Sequence, residues 1–370
     1  MIIQSLELQN FRNYETLKLF PGEKVNIFFG KNAQGKTNIL ESIYVSGTSK
    51  SHRLSKDKEM IAFGSEEAHI KTMVEKNNSL YQIDYHLKKN KKKGIAVNRI
   101  PLKKASEIFG ILNVVVFSPE DLDIIKDGPA LRRKFMDAEL CQIDKVYLYD
   151  LTVYQKALLQ RNKLLKELEM NPRLMQTLDV WDDQLMTYGE KIIVRREQFI
   201  NEINEIIGEI HLSITGGKEK LKLVYHPNSN GDNYRKEFKS NRQRDLRFAQ
   251  THVGPHKDEL EFYINGNEVR KFGSQGQQRT AVLSLKIAEI EIVKKVIHDQ
   301  PVLLLDDVLS ELDKERQTLL LNHIGDIQTF ITCTGVDEFI KNRLEINRIY
   351  RVDNGIITEY QDIPEQEVLI

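Results

Sequence analysis

Apolar and polar residues alternate at the start of this chain, take up a helical rhythm in the middle, and alternate again towards the end. Met1-Ile2-Ile3-Gln4-Ser5-Leu6-Glu7-Leu8 follows the period of two that turns one strand face to a core. Thr16-Leu17-Lys18-Leu19-Phe20 is another such run and stops at the turn pair Pro21-Gly22. The short apolar run Val25-Asn26-Ile27-Phe28-Phe29 predicts a buried strand, so residues 1–29 hold two or three strands. Tyr81-Gln82-Ile83-Asp84-Tyr85 alternates, the stretch from Lys88 to Gly94 turns the chain, and Ile95-Ala96-Val97 resumes. Asn113-Val114-Val115-Val116-Phe117 has no polar break after its first residue and predicts a strand buried on both faces.

The rhythm changes after Pro119. Pro129 sits where a helix start tolerates a missing N–H. Leu148, Leu151, Leu158 and Leu165 recur at near-helical intervals until Pro172. Leu178, Trp181, Leu185, Tyr188, Ile192 and Phe199 then mark a second long helix over about 174–210, predicting an antiparallel helical hairpin. The apolar spacing does not sustain a heptad, so no long coiled coil is expected. Residues 226–245 are polar, and Asn228-Ser229-Asn230-Gly231-Asp232-Asn233 reads as an exposed loop. Strand alternation returns at Glu259–Ile264 with Asn265-Gly266 as a hairpin turn. A helix (275–298), a strand (302–306), a helix (313–324), a strand (327–333) and a hairpin at Asn354-Gly355 complete an α/β pattern. The expectation is a split α/β domain, 1–118 with 250–370, interrupted by a mostly helical inserted domain at 119–249.

Composition narrows the partners. The 54 Lys and Arg residues equal the 54 Asp and Glu residues, so nucleic acid would have to be held by local patches. Two cysteines, Cys141 and Cys333, are too few for a disulfide framework and fit a reducing compartment. The N-terminus lacks the continuous apolar core of a signal peptide, and no run approaches the roughly 20 residues that span a bilayer. A soluble, cytoplasmic protein with no membrane partner is therefore expected.

Three motifs carry the chemistry. Gly30-Lys31-Asn32-Ala33-Gln34-Gly35-Lys36-Thr37 fits G-x-x-x-x-G-K-[ST] and lies between the strand at 25–29 and a helix beginning near Asn38. Its glycines let backbone N–H groups line a concave anion nest, and the helix N-terminus adds its positive end. Lys36 would reach the outer phosphates of ATP, and the Thr37 hydroxyl would ligate Mg²⁺. Val302-Leu303-Leu304-Leu305 delivers Asp306 and Asp307 at a strand end, where α/β sheets place ligands. Asp306 suits Mg²⁺, directly or through water; Asp307 suits orienting the attacking water as general base. Aspartate is one methylene shorter than glutamate, so slow turnover is expected.

Ser274-Gln275-Gly276-Gln277-Gln278-Arg279 opens the next helix and resembles the signature motif of ABC-type ATPases, with Gln in place of one glycine. In that family the signature serves a nucleotide held by the other subunit, implying head-to-tail dimers around two ATPs. Ser310-Glu311-Leu312-Asp313 stands at the position of the family's D-loop.

The whole chain resembles the RecF family, bacterial recombination mediators related to the SMC-type DNA-repair ATPases. The resemblance rests on Leu8–Tyr14, Lys31–Asn38, Phe117–Leu122, Gly128-Pro129 with Arg132-Arg133, Thr251–Asp258, Ser274–Thr280 and Asp306–Asp313. It implies an ABC/SMC-type P-loop ATPase head that binds ATP and Mg²⁺, forms an ATP-dependent homodimer, and hydrolyses ATP weakly with DNA stimulation. It implies binding to double-stranded DNA and single-strand/double-strand junctions, and RecA loading with RecO and RecR. By analogy, Arg12 joins the ATP-binding residues. Transporter ATPases carry a switch His where this chain has Ile331-Thr332-Cys333-Thr334. That argues against a transporter's nucleotide-binding subunit. A small-molecule P-loop kinase would have no need of the signature.

Two clusters are candidates for DNA. Residues 88–104 carry eight cations (Lys88, Lys89, Lys91, Lys92, Lys93, Arg99, Lys103, Lys104) and no acid; Lys88 to Lys93 are the chosen contacts, against the alternative of a solvated hairpin tip. Arg235, Lys236, Lys239, Arg242, Arg244 and Arg247 form a second, diluted by Glu237 and Asp245. His252 and His256 flank Gly254-Pro255, which forbids a helical metal pair, so they read as structural or interface residues. No aromatic platform is evident, so contact with phosphates is expected.

Overall fold

The computed structural model describes residues 1–53, 56–168, 170–335 and 346–360. The chain opens with β1 (Ile2–Phe11), β2 (Tyr14–Leu19), β3 (Val25–Phe29) and α1 (Lys36–Thr48). β4 (Glu67–Lys76), β5 (Ser79–Lys88), β6 (Gly94–Val97), β7 (Ile100–Pro101) and β8 (Val114–Phe117) follow. The middle is helical: α2 (Asp123–Lys126), α3 (Pro129–Ile143), α4 (Lys145–Glu167) and α5 (Met175–Ile214). Next come β9 (Leu221–His226), α6 (Gly231–Ser240), α7 (Arg242–Phe248), β10 (Glu259–Ile264), β11 (Asn267–Glu268), α8 (Val269–Phe272) and α9 (Gln275–Ile297). β12 (Val302–Asp306), α10 (Lys314–Ile324), β13 (Thr329–Cys333), β14 (Ile346–Asp353) and β15 (Ile356–Glu359) close the described chain.

Two compact units result: residues 1–119 with 289–370, and residues 120–288. The second boundary falls inside α9, whereas the apolar pattern places it at 249/250.

The first unit is built on two six-stranded sheets, ordered β2-β1-β4-β5-β6-β7 and β15-β14-β3-β13-β12-β8 among the described residues. The first sheet is antiparallel throughout. In the second, β14, β3, β13, β12 and β8 run parallel and β15 returns antiparallel. β12 is buried along its whole length, as a parallel strand covered on both faces must be. Each of its leucines contributes about 1.5–3 kcal/mol on leaving water. One apolar core joins Ile3, Leu6 and Ile70 of the first sheet, Ile39 and Ile43 of α1, and Phe28, Leu304 and Phe330 of the second. Gln328 ties the sheets: its amide oxygen accepts from Ile3 N–H at 2.7 Å, and its NH₂ donates to Ile3 C=O at 3.0 Å and Gly22 C=O at 2.8 Å.

The second unit pairs α4 with α5. Contacts run in reverse order, Asp144 to Arg195 and Arg161 to Asp182, so the helices are antiparallel. α5 buries Leu178, Leu185, Ile192, Phe199, Ile203 and Ile207, with Trp181 and Tyr188 only half covered. Arg161 is fully buried in α4's packed face. It donates to Asp182 at 2.6 Å, Asp245 at 2.7 Å and Thr251 at 2.8 Å. Arg196 likewise donates to Asp137, Asp258 and Pro255 C=O within 2.8 Å. Removing one partner from such a pair costs about 3–5 kcal/mol, because a buried charge is left uncompensated.

The expected loop at 228–233 is corrected by the structure. Ser229 is buried and α6 begins at Gly231. Tyr234 and Phe238, four residues apart, bury one face of this otherwise polar helix. Among the described residues no helix is long and apolar enough to cross a membrane.

Candidate nucleotide site

The parallel registers carry three strand ends to one sheet edge. Cys333 lies opposite Phe29, and Thr332 opposite Asp306. Gly30 follows β3 directly, so the phosphate loop and the two aspartates share that edge.

The loop is held from both sides. Gly30 has φ 153°, and a Cβ there would lie 2.3 Å from Val352 C=O. Gly35 has φ 110°, and a Cβ there would lie 2.4 Å from the Asn13 amide. Neither position accepts a side chain without moving backbone or a neighbouring turn. Asn13, in the β1–β2 turn, donates to Gln34 C=O at 3.0 Å and accepts from Asn38 at 2.8 Å. Tyr14 donates to Gly35 C=O at 3.0 Å. From the other side, Gly355 N–H donates to Gln34 C=O at 3.1 Å and Asn354 N–H to the Gln34 side chain at 2.6 Å. Lys31, Asn32 and Ala33 remain exposed at the crest, with Ala33 left-handed at φ 64°.

Lys36 opens α1 and is 7% exposed. Its ammonium donates to Gly30 C=O at 2.6 Å and Lys31 C=O at 2.8 Å, which folds it over the loop. Burial pulls its pKa down, opposed chiefly by the Asp307 charge and more weakly by Asp306. Burial also pushes the Cys333 thiol up to about 12, so it stays neutral beside this lysine.

Thr37, Asp306 and Thr332 meet at one carboxylate oxygen. Asp306 Oδ1 accepts from Thr37 Oγ1 at 2.8 Å and Thr332 Oγ1 at 2.7 Å. Thr332 Oγ1 also accepts from Asp307 N–H at 2.9 Å, fixing the turn after β12. Asp307 is left-handed at φ 54°, a conformation that Asp tolerates better than most residues. Ser310 donates to Asp307 C=O at 2.7 Å, and Asp313 caps α10 by accepting from Arg316 N–H. Hydroxyl and carboxylate oxygens are hard donors, so the Thr37–Asp306 pair fits Mg²⁺.

Arg12 is held against α1. Its guanidinium forks onto fully buried Glu41, with both bonds at 2.8 Å, and donates to Glu59 C=O at 3.1 Å. Burial would raise the Glu41 carboxyl, but hydrogen bonds from Arg12 and Ser51 outweigh it and hold the pKa below the usual value.

Ser274, Gln275 and Gly276 are exposed in the second unit, at the start of α9. Ser274 Oγ accepts from Gln277 N–H at 3.2 Å, and Gln277 Oε1 accepts from Ser274 N–H at 2.9 Å. This reciprocal pair is a capping box with Gln at the third position. Gln277 also donates to Glu219 at 2.9 Å.

Of the candidate DNA residues, Lys88 pairs with Glu67 at 3.3 Å, Lys89 with Glu66 at 3.1 Å, and Lys93 with Asp57 at 3.0 Å. Lys91 and Lys92 have no ion-pair partner among the described residues. They line a hollow of about 290 Å³ with Lys56 and Lys58, two cations from a distant segment. In the other cluster, Arg235 pairs with Glu190, and Arg242 with Asp179 and Asp182. His252 is bonded to Asp245 at 2.9 Å. His256 accepts from Tyr154 OH at 2.7 Å and meets Thr251 C=O at 3.1 Å, while burial lowers its pKa to about 4. Both histidines are hydrogen-bonded within the unit.

Sequence reasoning assigned no role to Thr332, Asn13, Glu41 or Lys56. Asn13 and Thr332 lie inside quoted motifs, but their partners become neighbours only through sheet order.

A family model described as RecF/RecN/SMC N terminal domain matches residues 2–358. The DNA replication and repair protein RecF of Lachnospira eligens is 60% identical over 357 residues, covering 96% of this chain and 98% of that protein. That of Agathobacter rectalis is 58% identical over 355 residues, covering 96% and 98%. Among solved structures, the recombination mediator protein RecF with ATP, of the RecFOR pathway, aligns with a TM-score of 0.90 at 35% identity, covering 97% of each chain. An Smc head domain from Pyrococcus furiosus aligns with a TM-score of 0.57 at 16% identity, covering 97% of this chain and 96% of that one, a likeness of fold alone.

Proposed function

The chain belongs to the RecF family of SMC-like, ABC-type ATPases, and from that premise we propose that it is an ATP-gated DNA clamp. Backbone N–H groups from Gly30 to Lys36 cradle the phosphates, and Lys36 neutralises the outer ones. Thr37 and Asp306 would hold Mg²⁺, which would supply positive charge to offset that of the phosphates. Asp307 orients the attacking water, and its short side chain makes turnover slow. Arg12 reaches the nucleotide by exchanging part of its fork on Glu41.

The observation that carries this reading is the Thr37–Asp306 contact of 2.8 Å, which brings two hard donors from separate motifs to one point. Ser274, Gln275, Gly276 and Gln277 serve the nucleotide of a second copy, so ATP closes a head-to-tail dimer. That dimer binds duplex DNA and gap junctions through phosphate contacts from Lys88 to Lys93. It acts with RecO and RecR in loading RecA, and hydrolysis, stimulated by DNA, resets it. The inserted helical domain is assigned to 119–249, and the protein to the cytoplasm.

Light scattering on gel-filtered protein, with and without ATP and a gapped duplex, tests the dimer. Wild type should shift from monomer to dimer with ATP, whereas Ser274→Arg should bind ATP and stay monomeric. A Ser274→Arg chain that still dimerises removes the signature from the interface. In a companion titration, Lys91→Ala with Lys92→Ala should flatten the slope of log affinity against log salt by about 1.8. An unchanged slope assigns the hairpin to solubility.

A further inference from the structure

Strand alternation in β4 sends Ala68, Ile70, Thr72 and Val74 into the core. Glu67, His69 and Lys71 therefore stand on the opposite face of the antiparallel sheet. His69 is paired across the strands with His86 of β5. We propose that Glu67, His69 and His86 form a binding site for a divalent transition metal of the zinc class.

Three side chains converge there from two neighbouring strands. One ligand atom from each lies within 4.8 Å of the other two. His86 Nε2 is 2.9 Å from Glu67 Oε2, and the two imidazoles stack with centroids 3.9 Å apart and planes 26° from parallel. Zinc holds nitrogen and carboxylate oxygen at about 2.0–2.2 Å, so tetrahedral ligands lie roughly 3.3–3.5 Å apart. Small rotations of exposed or half-buried side chains close the difference. The backbone supplies the rest, because residues two apart on one strand and a cross-strand partner share one face by geometry.

The pairing is poorly explained as an ion pair alone. One carboxylate faces two imidazoles and the Lys88 ammonium, which is 3.3 Å from the same Glu67 oxygen. The His69 imidazole stacks on His86 but has no hydrogen-bond partner among the described residues. A metal engages both rings and the carboxylate at once, releasing Lys88 from Glu67. Two imidazoles and one carboxylate suit zinc, whereas magnesium demands an octahedral shell of oxygens.

Three protein ligands leave one tetrahedral position open. Both histidines border a concavity of about 620 Å³ on this sheet face. Gly94 stands opposite His86 in the next strand, so no side chain crosses the ring there. Water or a single oxygen of an anionic ligand completes the shell in that space.

The test is calorimetric titration of chelator-stripped, full-length chain with Zn²⁺ alone, in excess Mg²⁺ to saturate oxygen-only sites. One Zn²⁺ per chain is expected, with a rise in melting temperature. His69→Ala and His86→Ala should each abolish both. Glu67→Gln should weaken uptake by about tenfold or more, at least the loss seen for outer-shell partners. Co²⁺ in place of Zn²⁺ should give the visible bands of nitrogen–oxygen coordination without thiolate charge transfer. Wild type that takes up no Zn²⁺, or a histidine variant that still takes up one, overturns the site.

Discussion

α1 in the first unit and α9 in the second both begin at residues that the sequence marks for phosphate, and they are prepared in opposite ways. α1 starts from left-handed Gly35 with no side chain bonded to its first N–H groups. Its surroundings are braced instead, by Asn13, Tyr14 and the Asn354-Gly355 turn. α9 starts from Ser274, which caps its own helix through Gln277 on an exposed surface. An open helix start inside a rigid frame is an anion site waiting for charge. A capped start has already satisfied part of that demand, so its hydroxyl proton and Gly276 N–H remain to be offered to a partner. On the proposed reading the two motifs have separate duties: the first binds, the second recognises what has been bound.

The strongest way to break this contrast is at Lys36. Lys36→Ala should weaken ATP binding by about 3 kcal/mol, roughly a hundredfold, through loss of a charged hydrogen-bond donor. Equilibrium binding of a fluorescent ATP analogue measures it; affinity within a few-fold of wild type would mean that backbone groups alone hold the triphosphate. Next is Asp307→Asn, which should leave binding intact and slow phosphate release by about a hundredfold or more, trapping the dimer. Normal release would remove Asp307 from orienting water. The smallest effect belongs to Gln277→Ala. It breaks the capping box and should cost about 1 kcal/mol or less in urea unfolding, with the ATP affinity of the monomer, where the signature meets no nucleotide, unchanged. An affinity loss matching that of Lys36→Ala would erase the distinction between the two helix starts.

The strands beside the site were legible because each is a short, strongly apolar run with turn residues at its ends. β3 and β12 fall at the expected residues, as does β10 in the second unit, and α4, α5 and α9 lie within a few residues of expectation. α6 was not legible: its two buried aromatics, Tyr234 and Phe238, are spaced for a helix but sit among Asn, Asp and Lys. Arg161 escaped for a related reason. Hydrophobic periodicity follows leucines, and here a guanidinium fills a packed position because Asp182 and Asp245 come to meet it. At the site, the motif spacing marks Lys36, Thr37 and Asp306 without reference to the fold. Thr332 gains its role only when β13 pairs with β12, and Glu41 only when Arg12 folds onto α1.

β3 pairs on one side with β13 and on the other with β14, both from the far end of the chain. During synthesis, then, β3 emerges from the ribosome long before either neighbour exists, with two unpaired edges and an apolar surface. The phosphate loop that follows it lacks the Asn354-Gly355 brace for as long. Nascent chains should therefore be blind to ATP until translation is nearly over, and during that interval the orphaned strand is a natural client for chaperones.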